Sequence, residues 1–178
     1  MNDDPRDVIS LTVYDKTWPE KAAQEIQRLH QACPFSWIID IQHIGSTAIV
    51  GLTAKPILDI MIGVKDIAEA RALIPIITAM DYVFWAENPK KDRLFFVKGM
   101  PPFGEARTHH VHVIEFNADE WIARLAFRDY LNQHVQARQE YAQLKEMLAR
   151  QFSHDREAYT EGKTTFIKNI AQQAYQAL

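Results

Sequence analysis

An acid stands inside an apolar run, Pro56-Ile57-Leu58-Asp59-Ile60-Met61-Ile62-Gly63-Val64. Its β-branched residues make the run a central strand, and Pro56, with no N–H for a ladder, fits only at the start. A carboxylate buried unpartnered between Leu58 and Ile60 would cost several kcal/mol. The fold must therefore bring hydrogen-bond donors, a metal or a phosphate-holding group to Asp59, or else close it in a purely structural ion pair. Twelve residues separate Asp59 from Gly45-Ser46, and Trp37 to Ile44 reads as the strand that delivers this turn. Taken alone, Gly45-Ser46 reads first as a plain turn, since Gly and Ser mark most turns.

The chain has 178 residues, 47% hydrophobic and 24% charged, which suits one domain or one domain with a helical appendage. Its 20 basic and 23 acidic residues give no electrostatic case for wrapping nucleic acid, although a local basic patch stays open. Cys33 is the sole cysteine, so no internal disulfide can form; the residue is expected as an inert packed thiol. Met1 to Asp7 carries no basic leader, and no stretch of about 18 apolar residues exists. A cytoplasmic protein with no membrane partner is expected.

Val8 to Val13 alternates weakly. A helix is predicted over 19–32, from Pro19 with Thr17 or Trp18 at its cap, because Ala22, Ala23, Ile26, Leu29 and His30 recur at helical spacing. A second helix is predicted over 66–80, with Ile67, Ala70, Leu73, Ile74 and Ile77 on its buried face and Pro75 set to kink or split it. Arg93 to Lys98 and His109 to Phe116 read as an antiparallel hairpin. From Asp119 onward there is one Gly, no Pro and apolar residues three and four apart, predicting about three helices with breaks near Gln133-His134 and Ser153-His154.

On the later strand His110 and His112 share a face, while His109 and Glu115 have the opposite parity. If that strand neighbours the Asp59 strand, Asp59, His110 and His112 could ligate a divalent ion. The carboxylate favours magnesium or manganese; the imidazoles pull toward manganese, zinc or iron. A solvated strand face is the alternative for the two histidines, and Glu115 is expected as a solvated strand-end acid. Lys55 directly precedes the Asp59 strand and Arg107 the histidine strand, so both could meet a phosphate there. Lys145 and Lys163, in the last third, are candidates to reach the same phosphate, with a solvated helix face as the default.

Gly45-Ser46, twelve residues, then Asp59-Ile60-Met61 resembles the nucleotidyltransferase pattern of a hydrophobic residue, Gly, Gly or Ser, nine to thirteen residues, then acid-hydrophobic-acid. More closely, the whole chain from about residue 10 to 170 resembles the GrpB family. The resemblance rests on Tyr14-Asp15 with Trp18-Pro19, His43 to Ala48, Gly51-Leu52, Ala54-Lys55-Pro56, Asp59-Ile60, His110-Val111-His112, Phe127 to Leu131, and Asp155-Arg156 with Tyr159, Lys163 and Phe166-Ile167. It implies an α+β fold: a nucleotidyltransferase-like mixed β-sheet flanked by helices over 8–118, with a C-terminal helical unit over 119–178 packed on it. A GrpB-like domain also occurs fused to dephospho-coenzyme A kinase.

The resemblance further implies a metal-dependent nucleotidyltransferase that moves a nucleoside monophosphate from a nucleoside triphosphate to an acceptor. Gly45, Ser46, Lys55, Arg107, Lys145 and Lys163 would hold the phosphates, Asp59, His110 and His112 a divalent ion, magnesium or manganese, and Asp59 and His112 would act at the reacting centre. The chain departs from the superfamily at the second acid, which is Met61; a thioether is too soft to hold magnesium. His112 or Glu115 is expected to stand in for the lost carboxylate. The alternatives are a non-catalytic module binding a nucleotide or coenzyme-like phosphate compound, and metal-dependent hydrolysis through the histidine strand.

Overall fold

The computed structural model describes residues 8–34 and 36–176. Five strands, β1 (Ile38–Ile44), β2 (Leu58–Val64), β3 (Tyr82–Phe84), β4 (Leu94–Lys98) and β5 (His109–Glu115), form one mixed sheet in the order β1-β2-β5-β4-β3. β2 and β5 run parallel, and the other neighbours run antiparallel. The helices are α1 (Trp18–Ala32), α2 (Leu73–Thr78), α3 (Asp119–Gln133), α4 (Val135–Gln151), α5 (Arg156–Glu161) and α6 (Thr164–Gln176).

Strand parity sorts the side chains into two cores. Ile41, Ile60, Ile62, Val111, Val113 and Phe96 face Leu29 of α1 and Leu73 and Ile77 of α2. Each such fully buried aliphatic side chain contributes roughly 1.5–3 kcal/mol. Ile44, Met61 and Ile114 face the other way, onto Trp121 of α3. A Cβ on Gly63 would stand 2.7 Å from the Trp121 ring, so that glycine lets α3 settle onto the sheet. Beyond the sheet edge, Ile49 and Leu52 pack with Phe127, Leu131, Tyr141 and Ile170, which joins the helical unit to the strand-bearing part.

Several elements arise as the sequence predicts. Asp15 accepts from the Thr17 backbone N–H at 2.8 Å, Thr17 caps α1, and Pro19 sits in the first turn, where no N–H is needed. The hairpin of β4 and β5 forms. Cys33 is buried, and burial pushes its thiol up to about 11.

The helix predicted over 66–80 splits, one of the two outcomes expected of Pro75, into a 3-10 turn, Glu69–Ala72, and α2, with Pro75 third in α2. There the ring needs no hydrogen-bonded N–H, so the proline sets a helix start instead of a kink. Tyr82 to Phe84 forms a strand too short to show a period. Val8 to Val13 contributes an isolated bridge between Thr12 and Ala54, and the Ile9 N–H donates to Ser153 O at 2.9 Å. The helical unit has four helices, because the chain also breaks at Gly162-Lys163; a Cβ on Gly162 would strike Leu148 at 2.6 Å. The reading of Met1 to Asp7 falls outside the described residues. No described helix is long and apolar enough to cross a membrane.

Candidate metal centre

The parallel pairing of β2 with β5 sets Asp59 beside His110 and Met61 beside His112, and the antiparallel pairing with β1 sets Ile44 beside Asp59. All five side chains share the face toward α3. His110 Nδ1 lies 2.9 Å from Asp59 Oδ1 and His112 Nε2 lies 3.8 Å from the same oxygen. One donor atom from each residue falls within 4.8 Å of the other two. Donors bound about 2.0–2.2 Å from a shared ion stand roughly 3–3.5 Å apart, so these three residues could hold a metal ion with only small adjustments. Phe95 of β4 lies against both imidazoles, with ring centroids at 5.2 and 4.8 Å, and closes that side.

Burial works to raise the Asp59 carboxyl, yet the hydrogen bond from His110 and the nearby His112 imidazole hold it well below the usual carboxylate range. His112 is pushed down to about 3 by burial and by the Arg124 guanidinium, so its ring is neutral and able to ligate at neutral pH. Buried atoms His110 Nε2 and His112 Nδ1 have no hydrogen-bond partner among the described residues. They are the ring nitrogens opposite those that face Asp59, so the donor cluster itself consists of His110 Nδ1, His112 Nε2 and the Asp59 carboxylate.

The Gly45-Ser46 turn meets Asp59 as the spacing predicts. Gly45 has φ 71° and ψ −168°, a region open in practice only to glycine, and a Cβ there would stand 2.4 Å from Asp59 Oδ2. The glycine thus serves both the turn and the close approach of backbone to carboxylate. Ser46–Ala48 forms a 3-10 turn in which Thr47 Oγ1 donates to Ile57 O at 3.4 Å and lies 2.9 Å from His43 Nε2. Burial lowers His43 to about 4, so its ring is neutral at neutral pH. Arg128 of α3 donates to His43 O and to Gln42 Oε1, both at 2.9 Å, and fixes the end of β1.

Two of the predicted lysines converge from the helical unit. Lys145 of α4 is 1% exposed, donates to Thr53 O, and holds Nζ 5.0 Å from the Tyr141 ring centroid. Burial and the neighbouring Lys163 lower it to about 7. Its solvated-face default is therefore overturned: Tyr141 and Leu148, four residues before and three after, place it on the buried stripe. Lys163 lies in the α5–α6 break, not within a helix, and its Nζ sits 4.2 Å over the Tyr159 ring. Burial lowers it to about 8 against the opposing pull of Asp59. Lys55 Nζ stands 5.2 Å from the same ring, and Tyr141 and Ser46 are within hydrogen-bonding reach of each other. Arg107 is half-buried on the loop that enters β5.

Glu115 is corrected as a stand-in acid: it lies at the far end of β5 on the other face, is exposed, and accepts from the Ile67 N–H at 3.4 Å. Met61 is fully buried among Ile44, Ile114 and Trp121, so the superfamily's second acid position is apolar core here. Sequence reasoning missed His43, Thr47, Arg128, Phe95, Tyr141 and Tyr159. The four-residue step from His43 to Thr47 and the Tyr141–Lys145 spacing were the available signals.

The model of the family described as GrpB protein matches residues 8–173. The chain belongs to the GrpB family. A UPF0157 protein of Pseudomonas aeruginosa is 42% identical over 172 residues, covering 96% of this chain and 69% of that protein. The UPF0157 protein YqkA of Bacillus subtilis is 36% identical over 170 residues; this chain spans 96% of itself there but 48% of YqkA's length. A crystal structure of conserved protein GrpB from Enterococcus faecalis superposes with a TM-score of 0.84 at 32% identity, over 94% of this chain and 98% of that one. The mixed α+β fold, a five-stranded sheet flanked by helices, is thus that of a solved GrpB protein.

Proposed function

We propose that this GrpB protein is a metal-dependent enzyme of nucleotidyltransferase type, transferring a nucleoside monophosphate from a nucleoside triphosphate to an acceptor hydroxyl. The observation that carries the reading is the convergence of the Gly45-Ser46 turn on Asp59, at a distance only glycine permits, beside the imidazoles of His110 and His112. Asp59, His110 and His112 would hold one divalent ion. Their donor set, one carboxylate and two imidazoles, fits manganese better than magnesium and also admits zinc or iron. Such an ion supplies Lewis-acid polarisation of phosphoryl oxygens.

The chain's own part is positioning and charge. The bare backbone at Gly45 admits phosphate oxygens next to β2, and Ser46 offers a hydroxyl at the same bend. Phe95 packs against both imidazoles and keeps that side of the cluster apolar, which strengthens the charge interactions beside it. The acceptor oxygen attacks the α-phosphorus in line, its proton passing to solvent or to a nearby base, while the bond to the departing pyrophosphate breaks.

A second reading, a phosphate-compound-binding module without turnover, is favoured by Met61. With that position buried in apolar core, no second carboxylate is available on β2 for the bridging of two ions. Pyrophosphate release is the deciding assay, run with each nucleoside triphosphate, manganese and the whole chain. Release that disappears in Asp59→Asn supports the enzyme; tight nucleotide binding with no release selects the module; neither binding nor release overturns both.

A further inference from the structure

The C-terminal half of α3 grips the segment that follows β1. Arg128 holds its near end through His43 O, and Asn132, one helical turn on, holds its far end. Asn132 Nδ2 donates to Ala48 O at 3.1 Å, and the Val50 N–H donates to Asn132 Oδ1 at 2.9 Å. Nδ2 also donates to Arg128 O at 3.1 Å, which fixes the way the amide faces. Turned over, it would set its nitrogen against the Val50 N–H and its oxygen against two carbonyls. A carboxamide carries a donor and an acceptor side by side, so Asn132 pairs with the backbone at 48–50 much as a neighbouring strand would. Aspartate has the same shape but no donor, and would face the two carbonyl oxygens with a charge.

This grip falls where the backbone most needs holding. Gly45 keeps φ 71° with ψ −168° while pressed on Asp59 Oδ2, and the 3-10 turn behind it closes on two rather long bonds. These run from the Ala48 N–H to Gly45 O at 3.2 Å and from the Ile49 N–H to Ser46 O at 3.3 Å. A strained conformation persists only where its surroundings over-determine it. Ile49 and Leu52 pack with Phe127 and Leu131 of α3, which keeps the segment near the helix. Apolar contact has no direction, however, and hydrogen bonds do. We infer that Asn132 is a positioning residue, which from α3 sets the register of the Ser46–Ala48 turn and so the stand of the Gly45-Ser46 bend against Asp59. The helical unit thereby takes part in the site: α3 seats on the sheet through Trp121 and carries the clamp toward its other end. This inference deepens the proposed function and rests on it for the reaction that the bend serves.

The test compares Asn132→Ala and Asn132→Asp in the whole chain. Tyr130→Phe is the control, since it removes a hydrogen bond from the same stretch of α3 to Gln173 without touching the bend. Folding is checked first by circular dichroism; if Asn132→Asp does not fold, Asn132→Leu, of similar size and without polar atoms, replaces it. In hydrogen exchange, both Asn132 variants are expected to speed the Ala48, Ile49 and Val50 amides by about tenfold, with the amides of β2 and β5 unchanged. In pyrophosphate release with manganese and a nucleoside triphosphate, kcat is expected to fall about tenfold or more, while KM and manganese affinity stay within about twofold. If the parent binds the manganese triphosphate without release, its affinity is read in place of kcat. Exchange at Ala48 and Ile49 as slow as in the parent, or an isosteric variant that behaves as the parent does, overturns the clamp. Faster exchange with nucleotide binding and release unchanged overturns the positioning role and leaves the proposed function standing. Manganese affinity lost in step with kcat also overturns it, making Asn132 a support of the whole site. A parent that neither binds nucleotide nor releases pyrophosphate sinks the proposed function, and exchange alone then decides the clamp.

Discussion

A buried acid, Glu25, and a half-buried one, Asp59, lie at one end of the sheet on opposite faces, and their surroundings differ. Glu25 of α1 is 4% exposed; it accepts from Tyr82 Oη at 2.9 Å, Lys98 Nζ at 3.1 Å and Arg28 Nη1 at 2.8 Å. Burial works to raise its carboxyl, but the Lys98 contact and its companions hold it below the ordinary range. Asp59 has two imidazoles, each with a buried ring nitrogen still unpartnered, and a glycine backbone pressed against its free oxygen. Adjacent histidines of β5 divide between them: His109 faces Tyr82, at 6.5 Å between ring centroids, and His110 faces Asp59. A buried acid met by enough cations and hydroxyls stabilises a fold. One met by donors with spare valence is arranged for a ligand.

The contrast is broken most directly by removing each charge. Glu25→Gln strands Lys98 in a buried place and is expected to destabilise the protein by about 3–5 kcal/mol in urea unfolding, with manganese affinity unchanged. Asp59→Asn is expected to lower manganese affinity by about a hundredfold or more. Its effect on unfolding is expected to be much the smaller of the two. If the effects exchange places, the assignment of structural acid and site acid is reversed.

Gly45→Ala comes next. Its Cβ collides with Asp59 Oδ2 in a backbone conformation that alanine avoids, so a loss of about 1–3 kcal/mol is expected together with weakened metal binding. Equal metal binding in the variant would detach the turn from the site.

A smaller effect concerns pH in the metal-free protein. His43 and His112 are lowered from 6.5 to about 4 and about 3, so the unfolded chain binds protons that the folded chain refuses. Stability is therefore expected to fall as pH drops from about 6.5 toward 4, at up to ~1.4 kcal/mol per pH unit for each histidine. His109 is lowered in the same direction by burial, so the slope is apportioned by substitution: His43→Asn is expected to remove one histidine's share. An unaltered slope in that variant would show that His43 is already protonated in the fold.

The smallest effect is expected of Met61→Leu. If Met61 is core, this volume-conserving change costs less than about 1.5 kcal/mol and leaves metal uptake as it was. A sharp loss of metal in that variant would make the thioether a ligand.

Much of the sheet was legible because its signals are local. The acid in β2, the Gly-Ser bend before it and the two-residue step between His110 and His112 fix strand, turn and face without knowledge of the partner strand. The placement of β5 beside β2 supplied what local signals leave open, turning three separate residues into one cluster. Glu25 was not foreseen, since an acid on a helix reads as solvated unless its partners, here Tyr82 and Lys98 from 57 and 73 residues away, are known. Lys145 was hidden by the same habit, although its place on the Tyr141–Leu148 stripe was available. The extra break before α6 escaped notice because one glycine in a helical pattern is a weak signal, and its reason, the approach of Leu148, is tertiary.

The central claim is that Asp59, His110 and His112 form a metal centre. Electron paramagnetic resonance of manganese titrated into chelator-stripped protein tests it most directly. The account predicts uptake of one ion per chain with nitrogen coupling from imidazole, abolished in Asp59→Asn and in His112→Gln while Glu25→Gln binds normally. No uptake by the parent protein, or uptake by Asp59→Asn equal to the parent's, would contradict it.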